Sequence, residues 1–426
     1  MAKIKKTNST NVQNFLEILS YPIISKNEKY DTNFSKNLIT SSSFKIDSIS
    51  KDSDGNVTNL NLKRYNNGEE KLPYIKKYNI VFFKNEPDAY TAFQRKEVDL
   101  LSGIPGNTLS KIKDDRNFKF DVSQLPNNFA IFFNQNQSEV LRDGDLRQAL
   151  SDVIDRTSLT NQVLGSFGIP MKNLAGDNPN SKSVDDIIKS LPSSFSFENG
   201  VLYYGIKKTE NSKSANSTSD KNNKSTTKKT DTAETKTTNK TQVKIKLTTI
   251  QNEELVETAK FLANSWKKIG VETEIKIIDR KDLNQLVKER DFEGLLFGFS
   301  IKTVSDYYSF FNSKERSFPK LNISNYTNSS VDKILENLNN ERKTANQKEL
   351  IKQLSDIISK DNPVIILYKP QFVLAHFLKT QIQLPNTIKS EEDRYSYINN
   401  WFTDTEKVLS IFSKFNFINK IDMLLY

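Results

Sequence analysis

The chain has 426 residues, of which 36% are hydrophobic and 27% charged, with no cysteine and a single histidine, His376. A chain of this length buries a large core and divides into two or three lobes. Without cysteine, disulfides, cysteine zinc sites and thiol nucleophiles are excluded, and the lone histidine lies beside an apolar segment without any nucleophile motif. We therefore expect no catalytic residue, no metal site and no cofactor.

The positive charge is concentrated in one tract. The net charge is +10, and residues 207–240 carry half of it, because nine lysines there face two aspartates and two glutamates. This tract of Lys, Ser, Thr and Asn has too little apolar surface to offset chain entropy, so we predict a disordered insertion at the surface. The remaining charge is diffuse, with no arginine-rich helix, which argues against a nucleic-acid partner.

The N-terminal residues 1–14 predict a polar tail. They begin with basic residues but lack a continuous apolar core before a small-residue cleavage site, so no export signal is expected. The chain offers no cysteine for a lipid anchor, and no apolar run reaches the ~20 residues that span a bilayer. A short apolar segment, Phe15 to Ile24, follows.

Strand and helix patterns alternate in the next part of the chain. Strands are predicted between Leu38 and Tyr65, with a hairpin turn at Asp54-Gly55, and again at Tyr78 to Phe83. A helix follows from Pro87 to Lys96. This order is typical of an α/β lobe.

The run from Phe129 to Arg156 predicts a strand at Ala130 to Phe133, a polar turn and a capped helix. Asp145 is placed to cap the helix, with Gln148 completing a capping box. The apolar residues that follow recur on one helix face, and the helix is expected to continue through Leu164. Gly168-Ile169-Pro170 is then expected to open a loop.

The second half of the chain contains a clear strand–helix–strand unit at Thr241 to Asp279, with Gly270 placed as the left-handed end of its helix. Another strand is predicted at Phe292 to Phe299. Two helices follow, the first with Ser329 or Ser330 placed to cap it and the second at Lys343 to Lys360, and Val364 to Tyr368 predicts a buried strand.

Four segments resemble the extracellular solute-binding proteins (family 5) of ABC importers, which include oligopeptide- and dipeptide-binding proteins. The first is the phrase from Phe133-Asn134 through Arg147-Gln-Ala-Leu150 to Ile154-Asp-Arg156. The others are the unit at 241–279, the run Asn322 to Leu338 and the strand Val364 to Tyr368. The resemblance covers roughly residues 15 to 402.

The resemblance implies an α/β fold of the two-lobe, periplasmic-binding-protein-like class II type, with mixed sheets. Family members usually carry more chain ahead of the counterpart of Phe15, so we expect this chain to be N-terminally incomplete. Lobe one would comprise residues 15–133 plus 375–402, lobe two residues 134–374, and a helical tail 403–426. The lobes would be joined by crossing segments at Ile131 to Asn136 and Leu367 to Phe377.

The resemblance also implies a function. The chain would be a monomeric receptor that binds a peptide or other small solute in the cleft between the lobes and delivers it to an ABC importer permease, outside the cell or in the periplasm. Two alternatives remain open: a scaffold of the same fold without transport, and a hydrolase built on Ser, Asp and Glu. The expected ligand-binding residues are Phe132, Phe133, Asn134, Gly298, Phe299, Lys302 and Asp306.

One departure from the family pattern affects the ligand. The aspartate that in peptide binders pairs with the ligand's α-amino group is replaced here by Lys302 or Thr303, depending on a one-residue gap, whereas Asp306 matches a second aspartate of that phrase. The Arg-Gln-Ala-Leu and Ile-Asp-Arg phrases are expected to stabilise the fold and not to contact ligand.

Overall fold

The computed structural model describes residues 43–66, 72–176, 181–205 and 240–403. The α-helices are α1 (Glu86–Gln94), α2 (Gly106–Ser110), α3 (Gly144–Asp152), α4 (Arg156–Leu164), α5 (Val184–Ser190), α6 (Glu253–Lys267), α7 (Leu283–Glu289), α8 (Val304–Phe311), α9 (Ser329–Asn340) and α10 (Thr344–Asp361). The strands are β1 (Phe44–Lys51), β2 (Val57–Arg64), β3 (Lys77–Val81), β4 (Leu100–Ser102), β5 (Phe118–Gln124), β6 (Asn127–Phe133), β7 (Gly168–Pro170), β8 (Phe195–Glu198), β9 (Val201–Tyr204), β10 (Thr241–Gln242), β11 (Lys244–Ile250), β12 (Glu272–Ile278), β13 (Gly294–Ser300), β14 (Val364–Phe377), β15 (Thr380–Gln381) and β16 (Phe402–Thr403).

The largest sheet has eight strands in the order β12-β11-β13-β6-β14-β4, with β5 and β7 also paired to β14. Strands β12, β11 and β13 are parallel to one another, whereas β6 is antiparallel to both β13 and β14. Smaller sheets are formed by β1-β2-β3, by β10-β9-β8 and by β15-β16. The mixed α/β class predicted from the sequence is confirmed.

Strand β14 joins two groups of strands. Its first part, from Val364 to Tyr368, pairs with β6. Its last part, from Gln371 to Phe377, pairs with β5, and part of it also with β4. The strand is therefore longer than the predicted Val364 to Tyr368 because it continues out of one lobe into the other.

The apolar core follows the same division. One pair of hydrophobic clusters surrounds β6, β11, β13 and the first part of β14. The other pair surrounds the second part of β14 together with α1, β4 and β3. Each lobe thus has its own core, and β14 contributes to all four clusters.

The strand–helix–strand unit at 241–279 forms as predicted. Helix α6 buries Leu255, Ala259, Leu262 and Trp266 on one face, and the Trp266 indole N–H donates to the carbonyl of Leu150 at 3.0 Å. Gly270 adopts φ +77°, and a Cβ at this position would lie 2.5 Å from the backbone nitrogen of Leu202. Glycine is required here both for the left-handed backbone and for the close approach.

Two predicted helix caps were wrong. The cap of α3 is Asp143, whose Oδ1 accepts from the N–H groups of Asp145 and Leu146, because the helix begins two residues earlier than the apolar pattern shows. Helix α9 is capped by Asn328 and not by Ser329 or Ser330, since the Asn328 side chain accepts from the N–H groups that follow it.

The predicted continuous helix through Leu164 was also wrong. Asp155 accepts from the N–H of Ser158 at 3.0 Å and starts the separate helix α4, so the chain turns between α3 and α4. The residues expected to open a loop at Gly168 form β7, which pairs with Tyr368 to Pro370 of β14.

The end of α1 provides a first test of the fold. Lys96 occupies a left-handed turn with φ +61°, where its N–H donates to the carbonyl of Phe93 and the N–H of Glu97 donates to that of Ala92. A side chain in this conformation costs about 1 kcal/mol relative to glycine. We therefore expect Lys96→Gly to raise the unfolding free energy by about 0.5–1 kcal/mol, measured by urea denaturation. Arg95→Gly, one residue earlier with φ −79°, is the control and should lower it.

Three predicted regions lie outside the described residues: the polar tail with the apolar segment to Ile24, the insertion at 207–240 apart from Lys240, and the tail after Thr403. The predicted lobe boundaries remain predictions. Strand pairing, however, assigns all of β6 to the sheet of lobe two.

Candidate functional site

Two short connections join the lobes. The first is Leu125-Pro126, between β5 and β6: Gln124 bonds to Asn386 and Ile388 on one side, and the Pro126 carbonyl accepts from Ile301 on the other. The second is the part of β14 from Tyr368 to Gln371. The second connection lies within the predicted crossing at Leu367 to Phe377.

The first crossing predicted, Ile131 to Asn136, was wrong. Ile131 to Phe133 lie inside β6, flanked by β13 on one side and β14 on the other. The strand pairs along its whole length, and the crossing occurs just before it, where Pro126 has no N–H to contribute to a ladder.

Beside these connections, two helices begin at the carboxyl ends of parallel strands. Strand β11 ends at Ile250 and leads into α6, whose cap is Asn252. Strand β13 ends at Ser300 and leads into α8, whose cap is Thr303. The crevice outside the carboxyl ends of such strands is where open α/β sheets bind ligands.

The two lobes face each other at this crevice. Glu86, in the first turn of α1, has a raised pKa because the group is partly buried and because Glu253 of α6 lies near it. Glu392, in the 3₁₀ segment 391–400, has a lowered pKa through its hydrogen bond with Ser390, its own backbone and, more weakly, the charges of Arg394 and Lys302. One like-charged pair and one opposite-charged pair therefore span the crevice.

Three predicted ligand residues lie away from the crevice. Phe132 is 2% exposed and packs edge-on against Phe299 with ring centroids 5.4 Å apart, and Phe133 is fully buried against Trp266. The Asn134 amide donates to the carbonyl of Arg290 at 2.8 Å, at the opposite end of β6 from Pro126. Ligand contact by these residues remains a prediction, and each has a structural role that accounts for its position.

Gly298 and Phe299 lie on β13 near its carboxyl end. Gly298 faces Phe129 of β6, and a Cβ at this position would lie 3.0 Å from the Phe129 ring. Phe299 is 6% exposed and packs against Phe310 as well as Phe132. Gly298 therefore leaves room for the Phe129 ring, which itself stacks on Tyr368 at 5.2 Å.

Lys302 and Asp306 are brought together at the start of α8. Asp306 accepts from the backbone N–H groups of Lys302 at 2.7 Å and Thr303 at 2.8 Å, which completes a capping box with Thr303. The Lys302 side chain is exposed. Asp306 is thus occupied in holding the loop, whereas the ammonium of Lys302 is free to act across the crevice.

The capping role predicts the effect of mutation. Asp306→Ala should lower the unfolding free energy by about 1 kcal/mol, because two backbone donors lose their acceptor. Asp306→Asn retains an acceptor oxygen and should lose less than half of that. Equal losses in the two variants, measured by urea denaturation, would contradict the capping role.

The sequence did not reveal the hydrogen-bonded polar group formed by Glu254, Thr258 and Tyr368 at this end of the sheet. The side chain of Thr258 donates to the carbonyl of Glu254, and its Oγ1 lies 2.9 Å from the hydroxyl of Tyr368. The available signals were two glutamates directly after the cap Asn252 and a tyrosine closing a run of buried apolar residues.

His376 is buried. Its Nε2 lies 2.7 Å from the Asp121 carboxylate and its Nδ1 lies 3.0 Å from the carbonyl of Phe377. Within residues 43–66, 72–176, 181–205 and 240–403, no three His, Asp or Glu side chains are grouped so as to hold a metal ion. None of the helices in these ranges is both long and apolar enough to cross a membrane.

The buried arginines of the family-like phrase are structural. Arg147 donates from Nε and Nη2 to the carbonyl of Asp361 and from Nη1 to that of Leu141. Arg156 is fully buried and donates to the carbonyls of Ile366 and Ser151 and to the Ser151 hydroxyl. Both side chains fix α3 and α4 to the ends of α10 and β14, in agreement with the expected role in the fold.

Solved structures share this architecture. The oligopeptide-binding protein AppA of Bacillus subtilis, in complex with a nonapeptide, superposes with a TM-score of 0.56 at 19% identity, over 85% of this chain and 66% of that one. NikZ of Campylobacter jejuni, in complex with Ni(L-His), superposes with a TM-score of 0.62 at 18% identity, over 91% of this chain and 74% of that one. At these identities the likeness establishes the two-lobe fold alone.

Sequence comparison adds two curated relatives. The nickel-binding protein NikA of Staphylococcus aureus is 23% identical over 322 residues, which is 74% of this chain and 57% of NikA. AppA of Bacillus subtilis is 25% identical over 313 residues, which is 71% of this chain and 52% of AppA. The chain therefore spans only a little over half the length of these relatives.

A family model covers most of the chain. The model of the bacterial extracellular solute-binding proteins, family 5 (middle region), matches residues 2–318. These residues include the crossing at Leu125-Pro126, the strand–helix–strand unit and the loop that carries Lys302. The chain belongs to the family 5 bacterial extracellular solute-binding proteins.

Proposed function

We propose that this chain is the solute-binding receptor of an ABC importer and that it binds a peptide or similar small solute in the crevice between its lobes. The observation that carries the proposal is the pair of short connections at Leu125-Pro126 and Tyr368 to Gln371, beside which two helices begin at strand ends. Two lobes on paired strands close around a ligand by hinge motion.

The binding surface we propose lies on the crevice side of α6 and α8. It comprises Lys302 with Glu253 on lobe two, facing Glu392 and Glu86 on lobe one. Gly298 contributes indirectly by admitting the Phe129 ring. Phe132, Phe133, Phe299, Asn134 and Asp306 support these elements, and direct contact of these residues with the solute remains a prediction.

Peptide is the favoured solute because charges of both signs face the crevice. A short peptide carries an ammonium group and a carboxylate, and Glu253 and Lys302 provide a counter-charge for each. The relatives' names include both peptide and nickel ligands. A nickel complex is the second and less favoured candidate, since both nitrogens of the chain's one histidine, His376, already have partners.

The permease partner, the extracellular or periplasmic location and the monomeric state follow from the same proposal. A receptor of this kind presents the closed form of both lobes to a membrane permease. The scaffold alternative keeps the fold without a solute, and the hydrolase alternative requires turnover.

The purified chain offers a direct test. Mass spectrometry of solute released on denaturation should identify short peptides, and adding a mixture of short synthetic peptides should raise the melting temperature. Lys302→Glu should reduce that shift, whereas Lys333→Glu, at an exposed lysine of α9 that is not part of the proposed binding surface, should retain it. Neither bound solute nor a shift would favour the scaffold, and hydrolysis of the peptides would overturn the receptor.

A further inference from the structure

A buried carboxyl group lies beside the connection formed by β14. Glu254, in the first turn of α6, has one carboxyl oxygen that is buried and without a hydrogen-bond partner. The carboxyl lies near the hydroxyl of Tyr368, which slightly offsets the rise that burial causes in the pKa of Glu254. Thr258 bridges the Glu254 carbonyl and that hydroxyl. Tyr368 is fully buried, stacks on Phe129 and is the last residue of β14 to pair with β6. The first turn of α6 is thereby linked to the strand that joins the lobes.

The protons in this group can be counted. The Thr258 hydroxyl donates to the Glu254 carbonyl at 2.8 Å, so its remaining capacity toward Tyr368, 2.9 Å away, is that of an acceptor. Tyr368 then donates its one hydroxyl proton to Thr258, and its oxygen can only accept a further hydrogen bond. A hydrogen bond between Glu254 and Tyr368 in this arrangement requires the carboxyl group to be protonated.

Ionisation of Glu254 reverses the chain of bonds. A carboxylate only accepts, so Tyr368 must donate to it and Thr258 must donate to Tyr368. The second carboxylate oxygen remains buried without a partner, which is unfavourable for a charged group. Movement of the carboxylate in the first turn of α6 toward water in the crevice then lowers the free energy.

Charges on the surrounding elements do not neutralise Glu254. On β14, Lys369 is half-buried with a lowered pKa. On α4, Asp155 faces Lys268 at the far end of α6, and Arg156 donates to Ser151 and Ile366. The glutamates of β12 pair with the lysines of β11, β13 carries no charged residue, and Glu253 on α6 faces Glu86. Burial therefore governs, and it raises the pKa of Glu254 to about 7, against a smaller lowering by Tyr368.

We propose that Glu254 is a positioning residue whose proton holds α6 against the crossing strand at Tyr368, so that loss of this proton loosens the connection and favours the open arrangement of the lobes. Ionised Glu254 also brings a further negative charge to the side of the crevice where Glu253 meets Glu86. The consequence for solute binding, weaker binding as the pH rises through neutrality, rests on the proposed function.

The sign of the stability effect follows from the raised pKa. The folded state keeps the proton to a higher pH than the unfolded chain does. Stability is therefore fully present below the unfolded pKa of about 4.3 and falls as the pH rises through the folded value near 7. Glu254→Gln retains a neutral side chain at every pH and should remove this fall.

The test needs no solute. The urea midpoint of the full chain is measured from acid to alkaline pH for the wild type, for Glu254→Gln and for Glu257→Gln, a control on the same helix whose carboxylate pairs with Lys260 at 2.7 Å. Because the chain has no cysteine, spin labels at Lys51→Cys and Lys267→Cys report the distance between the lobes in the same samples.

In the wild type and in Glu257→Gln, the urea midpoint should fall and the distance between the labels should lengthen as the pH rises through neutrality. Glu254→Gln should show neither change. A wild-type profile retained by Glu254→Gln, or no transition in the wild type, would overturn the proposal. Failure of the proposed function would be detected separately: no solute would bind at a pH where the lobes are closed.

Discussion

Replacing Arg156 by methionine is expected to destabilise the protein by about 2–4 kcal/mol. The guanidinium is fully buried, and its loss removes a donor from the carbonyls of Ile366 and Ser151, of which Ser151 keeps only the longer bond from the Ile154 N–H at 3.4 Å. Each unpaired buried acceptor costs about 1–3 kcal/mol, and removal of the buried charge returns part of that cost. The quantity to measure is the unfolding free energy from urea denaturation.

Two further substitutions separate this effect from a general loss of charge. Arg156→Lys retains the charge but cannot reproduce the planar fork, so it should also lose stability. Arg142→Met removes an exposed arginine nine residues after the end of β6 and should change stability by less than about 0.5 kcal/mol. If Arg156→Met left the unfolding free energy unchanged, α3, α4 and β14 would be held together by packing alone.

Gly106→Ala is expected to cost about 1–3 kcal/mol, which is typical of overpacking. Gly106 opens α2 in lobe one, and a Cβ there would lie 2.3 Å from the carbonyl oxygen of Leu164 at the end of α4. Since Phe167, just after α4, packs in the core of lobe one, this contact holds the lobes together beside the connections. The added methyl group should therefore change the relative position of the lobes as well as lower the stability of the protein.

Gly144→Ala is the matched control for that prediction. Gly144 also begins a helix, and a Cβ there would meet only the Arg147 Nη2, at 3.7 Å. With space available, alanine should stabilise by about 0.5 kcal/mol through its lower unfolded-state entropy. If Gly106→Ala were as stable as Gly144→Ala, the close approach of α2 and α4 would be wrong.

Local patterns in the sequence were sufficient for most of the fold. The period of the apolar residues around Trp266 and the placement of Gly270 correctly predicted the strand–helix–strand unit. Caps were less certain, because Asp143 and Asp145 are both able to accept from a helix start, and only the chain direction before the helix selects between them.

The site was harder to predict, since it depends on where strands meet. Phe132 lies in a strand that the sequence correctly predicts and Asn134 directly follows it, but the end of that strand which faces the crevice is decided by its pairing with β13 and β14. Likewise, Asp306 has the right chemistry for binding an ammonium group, and its position three residues after Thr303 instead assigns it to a capping box. Glu254 and Tyr368 are 114 positions apart in the chain, so no local pattern joins them.

The central claim is that a solute closes the two lobes around the crevice. The most direct measurement is the distance between spin labels at Lys51→Cys and Lys267→Cys, which lie on different lobes and outside the proposed binding surface, in the chain that otherwise has no cysteine. With short synthetic peptides present, this distance should shorten. Peptide binding, detected by mass spectrometry, without any change in the label distance would contradict the claim.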